Sequence, residues 1–407
     1  MEKAILGKSL RGLLTVIQAV LLIVLTWHVL FTDTKPLEAQ PFPDSHSYVR
    51  EAIQIAQGDG FKVDFDERVS SGTDMNGGGQ LYPSRYPPGL SVVLAPFALI
   101  AGESGVFFGS RLIIAFLLVA TWMIARQLGG RIAGLVASGI LFVSPFPREA
   151  ATVVLSDAPG ALMTLGIVLL IIRHTKTSSL MPGRRLLFFM GVIAGFALLT
   201  RLSLVVLSMA LVAVFPRPRY LKWIALGFAP LVIFLMVYQW VEFGSPLTTG
   251  YDFYLPSLRE FEADNALKAN PFSERAFIFS DRLDGRLMEW TCPCDEFGPM
   301  GKASNAVFYP AVLLGLYWVY IPPVIAVFAV KSLWKWRSDL TARFSILVVT
   351  SNLLMMIFYF YQGARLVSPA AFLLVAYTSV GMAEVCRKFV TLRSELRPVS
   401  PAKVRSC

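Results

Sequence analysis

Apolar runs of about 20 residues recur along the whole chain, beginning at residues 12–31, and this repetition constrains the fold more than any other feature. A hydrocarbon core about 30 Å thick takes ~20 helical residues to cross. Backbone groups in lipid must be satisfied within the segment, so runs of this kind are helices. Only 16% of the 407 residues are charged, against about 25% in soluble domains, too few to cover a water-facing surface. Four cysteines provide no disulfide framework, and a 55% hydrophobic content excludes disorder. The expected fold class is an all-α integral membrane protein.

Further runs lie near residues 106–125, 132–147, 158–172, 186–200, 202–215, 223–243, 307–330, 344–361 and 366–386, making about ten transmembrane helices with the first. The apolar part of RYPPGLSVVLAPFALIAG is too short to span, and it is expected to lie at the interface or dip back. The net charge of +10 would suggest nucleic acid in a soluble protein. In a polytopic one it is a ruler of orientation, because basic loops stay cytoplasmic, and no nucleic-acid partner is expected. Lys3, Lys8 and Arg11 put the start of the chain inside. Alternation from there collects Arg126, Arg131, Arg173, Arg184, Arg217, Lys331 and the basic tail on the cytoplasmic side, with Glu2, Asp339, Glu384 and Glu395 as the acids there. Both termini are expected inside a bacterial plasma (inner) membrane, and most acids outside.

Two outer segments, 32–105 and 244–306, are too long to be connectors, and long loops are where chemistry is sought first. The expected organisation is a catalytic transmembrane module 1–243 containing the first loop, a second external loop 244–306, and C-terminal helices with a basic tail over 307–407. No dinucleotide glycine fingerprint, P-loop or ATPase signature appears, so a reaction would draw on an activated substrate or an ion gradient.

In PFPDSHSYVREAIQIAQGDGF the spacing predicts a helix from Ser45 to Gln57 with Tyr48, Ala52, Ile55 and Ala56 on one apolar stripe. Asp44 then stands at the N-cap, either as a helix cap alone or as an outer-surface carboxylate able to act as a base or metal ligand. Gly58 and Gly60 end the helix.

These residues, followed by RYPPGL, SPFPREAATVVLSDAPGALM, GFALLTR, FGSPLTTGY and YQGARLVSP in that order, resemble the C-type membrane glycosyltransferases. Within them the chain is similar to the dolichyl-phosphate-mannose protein mannosyltransferase and lipid A aminoarabinose transferase group. The resemblance implies an inverting transfer of a sugar from a polyprenyl-phosphate donor to a protein, glycolipid or glycan acceptor, at the external (periplasmic) face. It implies that Asp157 is the second acid, sharing the catalytic role with Asp44, and that Arg365 is the late arginine. Metal use varies within such a family. A divalent cation, Mg or Mn, is the one cofactor left open, with Asp44 and Asp157 as its ligands.

A phosphate leaving group calls for guanidinium, and the outer-side candidates are Arg85, Arg201 and Arg365. Arg201 lies between two apolar runs, where an unpaired charge is expensive. His46, Tyr48, Tyr86 and Tyr251 are candidates for contacting the acceptor or supporting the site; His46 lacks the partner histidines of a zinc centre. Glu149 is an alternative partner acid, Tyr254 a second candidate for stacking on sugars, and Arg148 and Lys302 are expected at headgroups. Cys292 and Cys294, one residue apart, are assigned no role. Two other function classes remain: a secondary transporter or lipid flippase, and a non-catalytic membrane assembly subunit.

Overall fold

The computed structural model describes residues 2–33, 37, 43–64, 81–176, 182–251, 289–290, 306, 309–315, 319–322, 325–357 and 362–395. Helices dominate: α1 (Glu2–Leu30), α2 (Pro43–Gln57), α3 (Gly89–Val143), α4 (Phe146–Ala150), α5 (Asp157–Lys176), α6 (Arg184–Thr200), α7 (Val205–Val214), α8 (Pro218–Phe243), α9 (Val327–Lys335), α10 (Leu340–Ile357) and α11 (Ser368–Glu395). Two short antiparallel ladders join loops. β1 (Lys62–Val63) pairs with β2 (Tyr82–Pro83), and β3 (Glu289–Trp290) pairs with β4 (Gln362–Gly363). Six helices among the described residues are long and apolar enough to cross a membrane, and the chain is an integral membrane protein.

The 55 residues of α3 would extend about 80 Å as one helix, far beyond the ~30 Å a bilayer offers. Positive φ at Gly102 (58°) and Gly130 (77°), a region that residues with a Cβ enter only at a cost, breaks it into three pieces. The first, residues 89–100, is the PPGL segment, a separate short helix that turns back at Ala101–Gly102. The second, residues 103–129, is of spanning length. The third, residues 131–143, is about 20 Å long.

Two expected spans differ from the sequence reading. Over 202–215 the chain forms a 3₁₀ turn, Leu202–Leu204, and the ten-residue α7, together too short to cross a full hydrocarbon core. Over 307–330 the helix is not continuous. It runs through residues 309–313, turns at Leu314–Gly315, where Gly315 has φ 78°, bends over residues 319–321 and resumes at α9. Pro322 lacks a helix donor and pushes the residue before it out of α geometry. A count of ten spans therefore rests on the sequence reading alone.

Close packing depends on small residues. A Cβ at Gly191 of α6 would meet the Ile224 carbonyl of α8 at 2.1 Å, and one at Gly227 would meet the Phe188 carbonyl at 2.2 Å. These glycines let α6 and α8 approach backbone to backbone, as small residues do between helices in lipid. At the centre, α11 is buried on all sides over residues 368–381, against α3, α5 and α9. On α2, Tyr48 and Ala52 are buried as the stripe requires, and they pack on Leu90 and Leu94 of α3. The helix ends as expected: Gly58, φ 91°, donates to the Ile55 carbonyl and Asp59 to that of Gln54 at 2.9 Å.

On α5 the cytoplasmic-type base Lys176 and the candidate acid Asp157 fall at opposite helix ends. Lys176, at the C-terminus of α5, bonds Gln127 at 3.2 Å beside the Gly130 turn, and Lys335 pairs with Glu384 at 2.8 Å. Asp157 starts α5 at its other end, and Arg201 follows the last residue of α6, a helix that begins with Arg184.

Candidate functional site

Four chain segments converge there: the first turn of α2 with Asp44, residues 84–88 with Arg85 and Tyr86, the start of α5 with Asp157, and a 3₁₀ turn, Ala364–Val367, with Arg365. Arg201 enters from the end of α6, in extended conformation. Short polar contacts hold these segments in place. The Ser45 hydroxyl accepts from the Val154 amide at 3.0 Å and donates to its carbonyl at 3.2 Å, tying α2 to the stretch before α5. Ser368 donates to the Asp157 carbonyl at 2.9 Å, and Tyr320 to the Arg365 carbonyl at 3.3 Å.

The two acids, 113 positions apart in the sequence, are bridged by one guanidinium. Arg365 donates through Nη2 to Asp44 Oδ2 at 2.9 Å and through Nη1 to Asp157 Oδ2 at 3.2 Å. Arg201 Nη1 pairs with the other Asp157 oxygen. Tyr86 donates to Asp44 Oδ1 at 2.6 Å, and its hydroxyl in turn accepts from Arg85, whose guanidinium lies 4.9 Å from the Tyr86 ring centroid. Asp157 is 2% exposed and Arg365 5%, while the Asp44 carboxylate is 19% exposed. Asp44 is thus the open end of a buried chain of charges.

Neither acid behaves as a simple cap. Both lie inside the first helical turn, and their oxygens are committed to guanidinium and phenol. Burial pushes the Asp44 carboxyl up, but the Arg365 charge, the Tyr86 hydrogen bond and the Arg85 charge outweigh it and hold the group below its ordinary value. Tyr48, 1% exposed with its ring 5.1 Å from that of Tyr86, is pushed well above the usual phenol range by burial and by the Asp44 charge. It remains a neutral wall of the site.

The fit to a divalent cation can be judged from these contacts. The space between the two carboxylates holds the Arg365 guanidinium, and no group of three or more His, Cys, Asp or Glu gathers as ligands among the described residues. As placed, the acids fit a guanidinium rather than Mg or Mn.

Of the remaining candidates, His46 is buried on α2 and Glu149 is part-exposed on α4. Arg148 is tied to the Phe142 carbonyl at 2.8 Å. Tyr251 packs edge-on against Tyr86, ring centroids 5.7 Å apart. Gly250 passes so close to Arg85 that a Cβ there would come within 2.4 Å of the Arg85 carbonyl. Tyr254, Cys292, Cys294 and Lys302 lie outside the described residues. Ser45, Tyr320 and Ser368 were not singled out from sequence, because single hydroxyls among apolar runs carry no motif. A small cavity beside Arg85 and Tyr86, lined also by Leu235, Tyr238, Gln239 and Tyr251, completes the surroundings.

Residues 85–241 match the family described as dolichyl-phosphate-mannose-protein mannosyltransferase. No curated protein sequence matches the chain. Among solved structures, ArnT from Cupriavidus metallidurans has a similar fold, both in its apo state (TM-score 0.52) and bound to undecaprenyl phosphate (TM-score 0.53), at 14% identity. The oligosaccharyltransferase of Archaeoglobus fulgidus in complex with Zn and sulfate is also similar, with a TM-score of 0.51 at 11% identity. These alignments cover 95% or more of this chain, but 66% of ArnT and 51% of the oligosaccharyltransferase. In sequence over residues 85–241, and in fold over nearly its whole length, the chain is similar to the C-type polytopic membrane glycosyltransferases that its motifs resemble.

Proposed function

We propose that this chain is an inverting glycosyltransferase that moves a sugar from a polyprenyl-phosphate donor to a hydroxyl acceptor at the external face of the membrane. The observation that carries the reading is the Asp44–Arg365–Asp157–Arg201 chain: a carboxylate of base type held by the same guanidinium that a phosphate would claim. The family matched over residues 85–241 and the undecaprenyl phosphate held by ArnT support the class of donor. The cytoplasmic-type base Lys176, at the opposite end of α5 from Asp157, supports the external face.

The residues account for each part of the reaction. An arriving phosphate offers Arg365 a bidentate partner and draws part of its charge away from Asp44. Asp44, held below its ordinary range by Arg365 and Tyr86, then regains basicity at the moment a base is needed. It takes the proton of the acceptor hydroxyl. The acceptor oxygen bonds to the anomeric carbon from the face opposite the phosphate as the carbon–phosphate-oxygen bond breaks. The electron pair leaves with the polyprenyl phosphate, its charge met by Arg365 and Arg201, with Arg85 nearby. Asp157 keeps both arginines oriented. No step requires a metal ion.

The test is mass spectrometry of lipid copurifying with the protein, followed by transfer from that lipid to added acceptors. A polyprenyl-phosphate sugar consumed by wild type and retained by Asp44→Asn supports the reading. Transport of an intact lipid across vesicles, without cleavage, would replace it with the flippase reading.

A further inference from the structure

Gln239 is 7% exposed and lies near the C-terminal end of α8. Its sequence neighbours Trp240 and Val241 are 63% and 72% exposed, as lipid-facing residues are, so Gln239 points inward. It lines the small cavity, together with Leu235, Tyr238, Arg85, Tyr86 and Tyr251. A polar side chain turned inward from a membrane helix is costly, and Leu or Phe there would avoid that cost, so an amide at the wall of a cavity suits a polar ligand.

We propose that this cavity is a glycosyl-ring subsite and that Gln239 is the residue that reads the ring's hydroxyls. The proposal rests on the sugar-transfer reading above and adds to it the place where a ring sits and the group that selects it. Three features favour a ring over the other parts of a lipid-linked donor. An amide both donates and accepts, which matches the hydroxyls of a sugar and not the acceptor-only oxygens of a phosphate. The aromatic rings of Tyr86, Tyr238 and Tyr251 offer faces and edges to the C–H side of a pyranose or furanose. A polyprenyl tail would gain nothing from Gln239 and would be opposed by it.

Position supports the assignment as well. Tyr86 forms a wall of the cavity while its hydroxyl holds Asp44, so the subsite lies one side chain from the proposed base. The cavity is small as it stands. A ring would enter by displacing Tyr251, whose ring packs edge-on against Tyr86.

The ring could belong to the donor or to the acceptor, and the test separates them. Gln239→Leu, which suits a membrane helix, and the shorter Gln239→Asn are compared with wild type in three measurements. These are binding of undecaprenyl phosphate, binding of a panel of undecaprenyl-phosphate hexoses and pentoses differing in single hydroxyls, and acceptor KM. Gln239→Leu is expected to bind undecaprenyl phosphate within about twofold of wild type. For a donor ring it weakens the glycosylated lipids about tenfold, the loss of one to two neutral hydrogen bonds, and flattens discrimination across the panel. For an acceptor ring it raises acceptor KM by the same factor. If wild type transfers sugar and Gln239→Leu matches it in all three measurements, the subsite is overturned while the transfer reading stands. If wild type does not distinguish glycosylated lipids from undecaprenyl phosphate and transfers nothing, the transfer reading fails and the subsite with it.

Discussion

Asparagine substituted at each acid separates chemistry from architecture. Asp44 has one arginine and one phenol as partners and is 19% exposed, and its arginine keeps Asp157. Asp44→Asn is nearly isosteric and still accepts from Tyr86, so its cost to stability is that of one charged hydrogen bond, about 1.5–3 kcal/mol. Asp157 is 2% exposed and answers two guanidinium groups. Asp157→Asn leaves the buried Arg365 and the half-buried Arg201 short of a counter-charge, and breaking such a set costs up to about 3–5 kcal/mol. Turnover runs in the opposite order. Loss of a general base lowers rate about 10²–10⁴-fold, or roughly 3–5 kcal/mol of barrier, and this falls on Asp44→Asn. Thermal unfolding in detergent, paired with transfer from the copurified lipid, measures both. The expected result is Asp44→Asn folded and nearly inactive, with Asp157→Asn melting at the lower temperature. Turnover in folded Asp44→Asn above about a tenth of wild type would refute Asp44 as the base.

Three further outcomes follow from the same geometry. Arg365→Ala, and nearly as much Arg365→Lys, should weaken donor use more than acceptor use, because an ammonium cannot span two carboxylates and a phosphate as the fork does; equal loss on both substrates argues against a phosphate role. Asp44 is held below its unfolded value of about 3.9, so its contribution to stability is complete above that value and disappears as pH falls through the lower folded one. The melting temperature of wild type should therefore drop below about pH 4 more steeply than that of Asp44→Asn, and parallel curves would show that the group is not coupled to folding. Transfer should survive washing with a chelator, since Arg365 occupies the gap between the acids; loss restored by Mg or Mn would place a cation there instead.

The resemblance in sequence was loose motif by motif, and the matched stretch, residues 85–241, contains Arg85, Asp157 and Arg201 but neither Asp44 nor Arg365. Asp44 could be found because a proline-led helix start and a Gly-Asp-Gly stop frame it, and Arg365 because YQGARLVSP resembles a family motif. The resemblance put them in one pocket, but their direct ion pair could not be read, because the contact spans 321 positions and depends on how α2 and α11 dock on α3 and α5. Gln239 escaped notice for the opposite reason: a lone amide within an apolar run resembles any tolerated polar residue until the direction it faces is known.

Hydropathy and charge, both local properties of the chain, were enough to determine a helical membrane protein and its expected orientation, since each span answers to the bilayer before it meets its neighbours. Packing decided the rest. The tie between α2 and the stretch before α5 through Ser45 and the shared guanidinium of Arg365 arise from contacts between segments far apart in sequence. Such contacts form only when helices close on one another and buried charges must find partners.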